Sequence, residues 1–371
     1  MKFIINKSDF LRPLARVQGI VEKRTTMPIL SNLLMKTKEG AIEISATDLE
    51  VSVKDITPVQ SIESEGSVTV NARKLYEIIK AFPDDTIKIS SNNDSKVTIK
   101  GGKSNFNVMG LPEKDFPVFP TLDEQAPHMV KVDTLKEMID RTAFAISTDE
   151  TRYNINGFLL EKTGNKVKLV ATDGHRLAVI EKEDDLGLGE SARALLPRKG
   201  VMEVRKLLDE DGSEKFSLAI TDKNMLVSTL NTTMIVRLLD GEFPDYKRVI
   251  PEGNNKTIGA DKADLLTSLK RVSILSEDRI KGVKFNFTDS KLVLSASSQE
   301  IGDATVELDI NYSDSNNNSI DIAFNAIYVI DLLDSMDEDR VSIHLKDNLS
   351  PCIMRPEGSR DYTYVIMPMR L

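Results

Sequence analysis

Apolar residues recur at helical spacing in three stretches about one domain length apart. They are Phe10, Leu14 and Val17 within residues 6–20, Leu135, Met138 and Ile139 within residues 133–145, and Leu265, Leu269 and Val272 within residues 261–275. Each stretch opens near an aspartate or serine whose oxygen can accept from the free amides of a first helical turn. Each is followed by strand-like runs: 29–35 then 41–53, 155–160 then 167–180, and 283–287 then 292–308. The chain therefore makes one statement three times.

A second unit follows inside every copy. Residues 71–82 place Leu75, Ile78, Ile79 and Phe82 on one helical face, 197–208 place Val201, Val204 and Leu208, and 325–336 place Tyr328, Leu332 and Met336. Strand signals come next at 87–89, 97–99 and 106–109, at 216–220, 225–230 and 234–238, and at 341–345, 352–354 and 362–367. Polar, Pro and Gly positions near 122–128 and 251–256 mark boundaries. These give three copies, 1–125, 126–252 and 253–371. Short strands and many turns predict an α+β fold, each copy having two helices packed on antiparallel sheets. No GxGxxG or GxxxxGK follows a strand, which argues against a nucleotide-binding α/β fold.

Composition adds three constraints. The 371 residues, 40% hydrophobic and 29% charged, suit a globular protein of two or three domains. A single cysteine, Cys352, forms no internal disulfide, no apolar run is long enough for a bilayer, and residues 1–6 are too short for a signal peptide, so a cytoplasmic protein is expected. The net charge of -9 argues against nucleic acid over the whole surface. Basic residues nevertheless gather on the predicted helices: Arg73, Lys74 and Lys80; Arg141; Arg198, Lys199, Arg205 and Lys206; Lys262, Lys270 and Arg271. Such faces could hold a duplex by its phosphates without reading bases, or they could be ordinary solvated cations.

The stretch Ala171-Thr172-Asp173-Gly174-His175-Arg176-Leu177-Ala178-Val179-Ile180 sets a histidine beside a carboxylate. On a strand, Asp173 and His175 would share a face and could form a base dyad. No nucleophile elbow accompanies them. His128, His175 and His344 fall in different copies without metal-ligand spacing, so no metal, cofactor or enzymatic activity is expected. Asp48, in Ala46-Thr47-Asp48-Leu49-Glu50, holds the corresponding place in the first copy without a histidine, which fits a repeated turn.

Five segments carry a resemblance to a known family: Arg24-Thr25-Thr26-Met27-Pro28-Ile29-Leu30, Ala46 to Glu50, Ala171 to Val179, Phe243-Pro244-Asp245-Tyr246, and Met367-Pro368-Met369-Arg370-Leu371. With the three copies and the length, the chain resembles the bacterial DNA sliding clamps, the beta subunits of the replicative polymerase III holoenzyme, from end to end. The resemblance implies a head-to-tail homodimer closing a ring of six similar domains around double-stranded DNA. It implies a processivity factor that binds DNA without sequence preference and tethers the replicative polymerase subunit, the clamp loader, and other polymerases and repair proteins through short peptides. No membrane partner is implied.

The same resemblance assigns residues. Arg24, Arg73, Tyr153, Arg198 and Lys199 are the implied DNA contacts, while Asp149 and Asn154, where the family often has glutamine and tyrosine, imply weaker binding there. The implied partner groove is exposed and comprises Ile155, Thr172, Gly174, His175, Arg176, Leu177, Pro244, Arg248, Val249, Val365, Ile366, Met367, Pro368 and Met369. Its apolar members would contact a peptide, the arginines would orient it, and methionine would adapt to differing side chains. Without the resemblance, Met-Pro-Met reads as a frayed or core-packed end. At the implied dimer interface stand Phe106, Ile274 and Leu275, with Lys74, Lys96 and Lys103 facing Glu300, Asp303 and Glu307; Asn105 replaces a frequent cation. The alternative places Ile274 and Leu275 in the core of the third copy. An enzyme using His175 or Asp173, and a scaffold with the groove but no ring, remain as other function classes.

Overall fold

The computed structural model describes all residues except 23–25, 121–126, 150, 184, 185, 187, 189, 190, 277–280, 289, 314–318 and 371. Arg24, Leu371 and the boundary between 125 and 126 thus lie outside the described residues. Within them the chain repeats one order six times, a strand, a helix, three strands, with two further short strands, Ser61–Ser64 and Asn311–Ser313, after the first and the fifth repeat. The helices are α1 (Lys7–Ile20), α2 (Ala72–Ala81), α3 (Val132–Asp140), α4 (Arg198–Asp211), α5 (Lys262–Val272) and α6 (Ala326–Asp334). The entering strands, Lys2–Asn6, Gly66–Asn71, His128–Lys131, Ser191–Pro197, Lys256–Asp261 and Ile320–Asn325, have no counterpart in the sequence reading. They are short and run straight into the helix cap. At three of these joints the last strand residue is the cap: Asn71, Asp261 and Asn325 accept from the amides of Lys74, Asp264 and Ile327.

The apolar stripes pack as their spacing predicts, with Phe10, Leu14 and Val17 of α1, Leu75 and Ile79 of α2, and Leu265, Leu269 and Val272 of α5 all buried. On α6 the inner face is Val329, Leu332 and Leu333; Tyr328 is only half-buried and turns aside. Two predicted strand starts are instead 3-10 turns, Pro28–Ser31 and Tyr153–Ile155. Proline at the first position, lacking an amide to give a ladder, explains the first. The long runs 41–53, 167–180 and 292–308 fold into hairpins, Ala41–Thr47 with Val51–Pro58, Lys166–Thr172 with Arg176–Glu183, and Lys291–Ser298 with Gly302–Asp309.

Packing divides the chain into two compact units, one of Met1–Asp133, Leu186–Leu188 and Lys199–Leu238, the other of Thr134–Asp185, Gly189–Arg198 and Leu239–Leu371. Among the described residues the first contains a five-stranded and an eight-stranded sheet, the second a nine-stranded and a four-stranded one, and the strand pairs are antiparallel. The two halves of a copy exchange entering strands. Lys2–Asn6 pairs with Thr86–Ser91 of the trailing half, while Gly66–Asn71 pairs with Asn32–Lys38 of the leading half.

Sheets also continue from copy to copy. Val51–Pro58, last strand of the first copy's leading half, pairs with Thr232–Arg237, last strand of the second copy's trailing half. Arg176–Glu183 and Tyr362–Ile366 repeat that pairing between the second and third copies. In the first joint the Arg16 guanidinium lies 2.7 Å from Asp55 and 2.6 Å from the Thr232 hydroxyl, which neutralises a buried carboxylate. The corresponding strands Ser104–Met109 and Gly302–Asp309 stand at the edges of their sheets.

Candidate functional site

The turn between Lys166–Thr172 and Arg176–Glu183 is built by Asp173. Its Oδ1 accepts from the amides of His175 and Arg176 at 2.9 and 3.0 Å, and Thr172 Oγ1 accepts from Gly174 N at 3.1 Å. Gly174 sits at φ +92, and a Cβ there would meet the Arg152 guanidinium at 3.0 Å. Asp48 makes the same turn, accepting from Glu50 and Val51 amides at 2.9 and 2.7 Å, with Leu49 at φ 78 in the glycine's place. Asp173 is therefore occupied as a turn former. It is not a base for His175, whose ring is exposed and stacks on Tyr328 at 6.5 Å.

Successive strand residues face opposite ways, and here the alternation separates two environments. Leu177 and Val365, paired across the joint, point into an apolar cluster with Ile155, Leu159, Val170, Val179, Leu195, Phe243, Tyr246 and Ile353. Val249, Ile250 and Leu239 pack against that cluster and are only partly buried. Arg176 and Ile366, paired with each other, are both buried. The Arg176 guanidinium donates to Asp173 Oδ2 at 3.0 Å, to Asp331 Oδ2 of α6 at 2.6 Å and to the Phe144 carbonyl, and lies 4.4 Å from the Tyr328 ring. Burial works against that charge, yet Tyr364, Asp331 and Asp173 together hold its pKa above the ordinary arginine value.

These contacts correct the sequence reading of the groove. Ile155, Leu177, Val365 and Ile366 are buried rather than exposed. The first three form a supporting floor with Phe243 and Tyr246, Leu177 and Val365 from their paired strands and Ile155 from the 3-10 turn Tyr153–Ile155. Ile366, alternating with Val365, is buried on the other side and points away from that cluster. Arg176 has its donors engaged and acts on the loop, not as a free cation. What reaches solvent is Gly174, His175, Pro244 and Arg248, with Thr172, Val249, Met367, Pro368 and Met369 half-buried beside them. Met367 N donates to His175 O at 3.0 Å and Met369 N to Ala323 O at 2.7 Å, so the tail is fixed as far as Met369 and is not frayed. The Tyr246 hydroxyl is raised by burial and by its 2.9 Å bond to Glu161, and stays protonated.

The sequence reading missed Phe144, Tyr328 and Asp331 as supports of this site. Their spacing marks only helix and 3-10 faces. Nothing local tells that the arginine of a distant turn will end among them.

The other sequence-predicted residues are placed as follows. Tyr153 is 66% exposed. Arg198 is exposed at the start of α4. Lys199 is half-buried, with its ammonium on Asp48 Oδ2 and 3.2 Å from Ile20 O. Arg73 is half-buried, its Nη2 3.5 Å from Val21 O. Phe106 is 41% exposed on the edge strand Ser104–Met109, and Ile274 is 71% exposed with Leu275 half-buried after α5. That excludes the alternative in which Ile274 and Leu275 are both core residues. Lys96, Lys103, Glu300 and Asp303 are exposed, while Lys74 pairs with Glu77 and Glu307 with Lys291 inside the chain. Among the described residues no group of three or more His, Cys, Asp or Glu side chains could hold a metal ion.

Comparison with known proteins agrees along the whole chain. Family models of the DNA polymerase III beta subunit match at residues 1–120 for the N-terminal domain, 129–245 for the central domain and 247–370 for the C-terminal domain. The beta sliding clamp of Pseudomonas putida is 33% identical and that of Escherichia coli 32% identical, each over 371 residues and 100% of both chains. Among solved structures, the DNA polymerase III subunit beta of Pseudomonas aeruginosa superposes with a TM-score of 0.93 at 33% identity, covering 100% of each chain. A DnaN sliding clamp from Bartonella birtlesii bound to griselimycin superposes with a TM-score of 0.95 at 34% identity, again covering 100% of each.

Proposed function

Because the chain belongs to the DNA polymerase III beta subunit family, the bacterial sliding clamps, it is a polymerase processivity factor, and we propose that it works as two chains joined head to tail around duplex DNA. One observation carries the ring. Twice inside the chain, the last strand of a leading half pairs with the last strand of the next copy's trailing half. Gly302–Asp309 and Ser104–Met109 are the same two positions, left at sheet edges. Pairing them between two chains continues the repeat and removes both edges, which a soluble protein otherwise has to protect. Exposed Phe106 and Ile274, Lys96 and Lys103 on one side, and Glu300 and Asp303 on the other would complete that joint.

Inside the ring, Arg73, Tyr153, Arg198 and Lys199 are proposed to face the phosphates, as is Arg24. Contact of that kind has no base preference, so retention comes from closure and not from affinity. The groove over the Ile155, Leu177 and Val365 floor is proposed to take short peptides of the replicative polymerase, the clamp loader and other polymerases and repair proteins. His175, Pro244 and the half-buried methionines offer apolar contact, and the Asp173 turn offers backbone groups. No catalytic role is proposed. Among the described residues no helix is long and apolar enough to cross a membrane, and the cytoplasm is the proposed place of work.

The test is topological. A native mass of two chains, retention on nicked circular duplex and release on linearisation are expected. A monomeric mass, or equal retention on linear and circular DNA, refutes the ring.

A further inference from the structure

The leading half of the first copy repeats the frame of the partner groove position by position. Aligning Asn32–Lys38 on Gly157–Thr163 puts Leu30 where Ile155 stands and Leu34 where Leu159 stands. Leu34 pairs across to Ser45 and Thr69, as Leu159 pairs to Val170 and Leu195. Phe116-Pro117-Val118-Phe119 matches Phe243-Pro244-Asp245-Tyr246. Phe116 packs with Ile29, Leu30 and Leu34, as Phe243 packs with Ile155 and Leu159. A lysine lies over the last ring in both, but from different positions: Lys54, which stands where Val179 does, at 4.6 Å from Phe119, and Lys247, next to Tyr246, at 5.8 Å from that ring.

Two exchanges then make this frame a site of its own. Tyr246 is tied down by Glu161, whereas the matching pair in the first copy is Phe119 and Lys36, which make no such bond. A cleft of about 500 Å3 lies there, lined by Leu34, Phe116, Pro117, Val118 and Phe119, and Val118 is 93% exposed. Of the carboxylates at its rim, Glu43 is 3.5 Å from Lys54 and Glu113 accepts from the Ser67 hydroxyl. Lys36 and Lys114 line the same cleft, are exposed, and have no carboxylate partner among the described residues. With Lys54 over the Phe119 ring, three lysines stand against the two glutamates, which on a chain of net charge -9 leaves one positive charge beside the aromatic walls. It is complementary to an apolar segment that carries a negative charge.

We infer that this cleft is a second docking site, taking a short apolar peptide of a partner protein that bears an acidic side chain. Ser45 and Thr69 replace Val170 and Leu195 beneath it, so its floor is more polar and it selects different side chains from the groove of the second copy. The site does not depend on encirclement of DNA.

The experiment uses the full chain with the second-copy groove disabled by Pro244→Arg and removal of Met369 to Leu371. The probes are an acetylated Asp-Leu-Val-Phe amide and its Lys-Leu-Val-Phe counterpart, followed by methyl NMR at Leu34 and Val118. The acidic peptide is expected to shift both signals and to bind at least tenfold more tightly than the basic one. Val118→Glu with Lys114→Glu, both at exposed positions that leave the core intact, is expected to abolish binding. Unmoved methyl signals at peptide concentrations up to the millimolar range, or equal affinity for the two peptides, overturns the inference. A change in sedimentation coefficient on Val118→Glu also overturns it, by assigning the cleft to a contact between chains. Peptide binding to the unmodified groove is read separately in the parent chain, so failure of one site is not failure of the other.

Discussion

Arg176 Nη1 lies 2.6 Å from Asp331 Oδ2, so the turn that presents Gly174 and His175 is fastened from behind to α6. Asp331→Asn keeps the shape and removes the charge. Loss of one partner of a largely buried ion pair costs on the order of 1–3 kcal/mol. The turn should loosen, and groove peptides should bind about tenfold more weakly by calorimetry, a change of about 1.4 kcal/mol. Unchanged peptide affinity would show that the turn holds itself through Asp173 alone.

Removing Met369 to Leu371 deletes the bridge from Met369 N to Ala323 O and a half-buried side chain beside the groove. Peptide affinity should fall by about tenfold or more while the mass of the native assembly stays at two chains. Equal affinity before and after truncation refutes the tail's part in the groove.

Arg198 and Lys199 are neighbours, both proposed to face DNA, but Lys199 also holds a buried carboxylate. Arg198 is exposed, so Arg198→Gln should lower the slope of DNA affinity against salt by about one and leave stability unchanged. Lys199 neutralises the buried carboxylate of Asp48, so Lys199→Met should destabilise the fold by about 1–3 kcal/mol in denaturant titration. A Lys199 variant with full stability would mean that Asp48 is satisfied by its turn amides alone.

Ile274→Arg with Leu275→Arg puts two like charges on the proposed interface. Monomers that remain folded are expected by sedimentation and far-UV circular dichroism, because Ile274 is 71% exposed and Leu275 is only half-buried, both outside the core. A dimeric mass would show that the interface lies elsewhere.

His344 gives a pH dependence whose sign follows from its surroundings. Burial lowers its pKa below the ordinary 6.5, and the Arg355 guanidinium lowers it further. The unfolded chain therefore takes up the proton first, at about 6.5, while the folded chain resists it. The stability tied to neutral His344 is present above pH 6.5 and is lost as pH falls from there through the lower folded value. His344→Asn should flatten this part of the stability curve in urea titrations between pH 5 and 7. A wild-type curve already flat there would remove the assignment.

Much of this was legible in the chain. The stripes Phe10, Leu14, Val17 and Leu265, Leu269, Val272 are buried as their spacing predicts, because a helix's own geometry turns every third or fourth side chain to one face. The turn at Asp173 was legible too, since Asp48 repeats it and an aspartate bonding two amides is a local device. Strand lengths were blurred where such a turn interrupts an apolar run, and the strands entering the helices were hidden by their shortness.

Strand partners were not legible. Periodicity fixes which face of Arg176–Glu183 is apolar, but many strands have an apolar face, and pairing with Tyr362–Ile366 is decided by bonds between segments far apart in the chain. That pairing sets Leu177 and Val365 in a floor and turns Arg176 and Ile366 away from it. The sequence by itself determined the sixfold order of helix and strands and the turn chemistry, because those forces act within a few residues. Only the tertiary structure decided which apolar residues are floor and which are surface, because burial depends on what arrives from elsewhere.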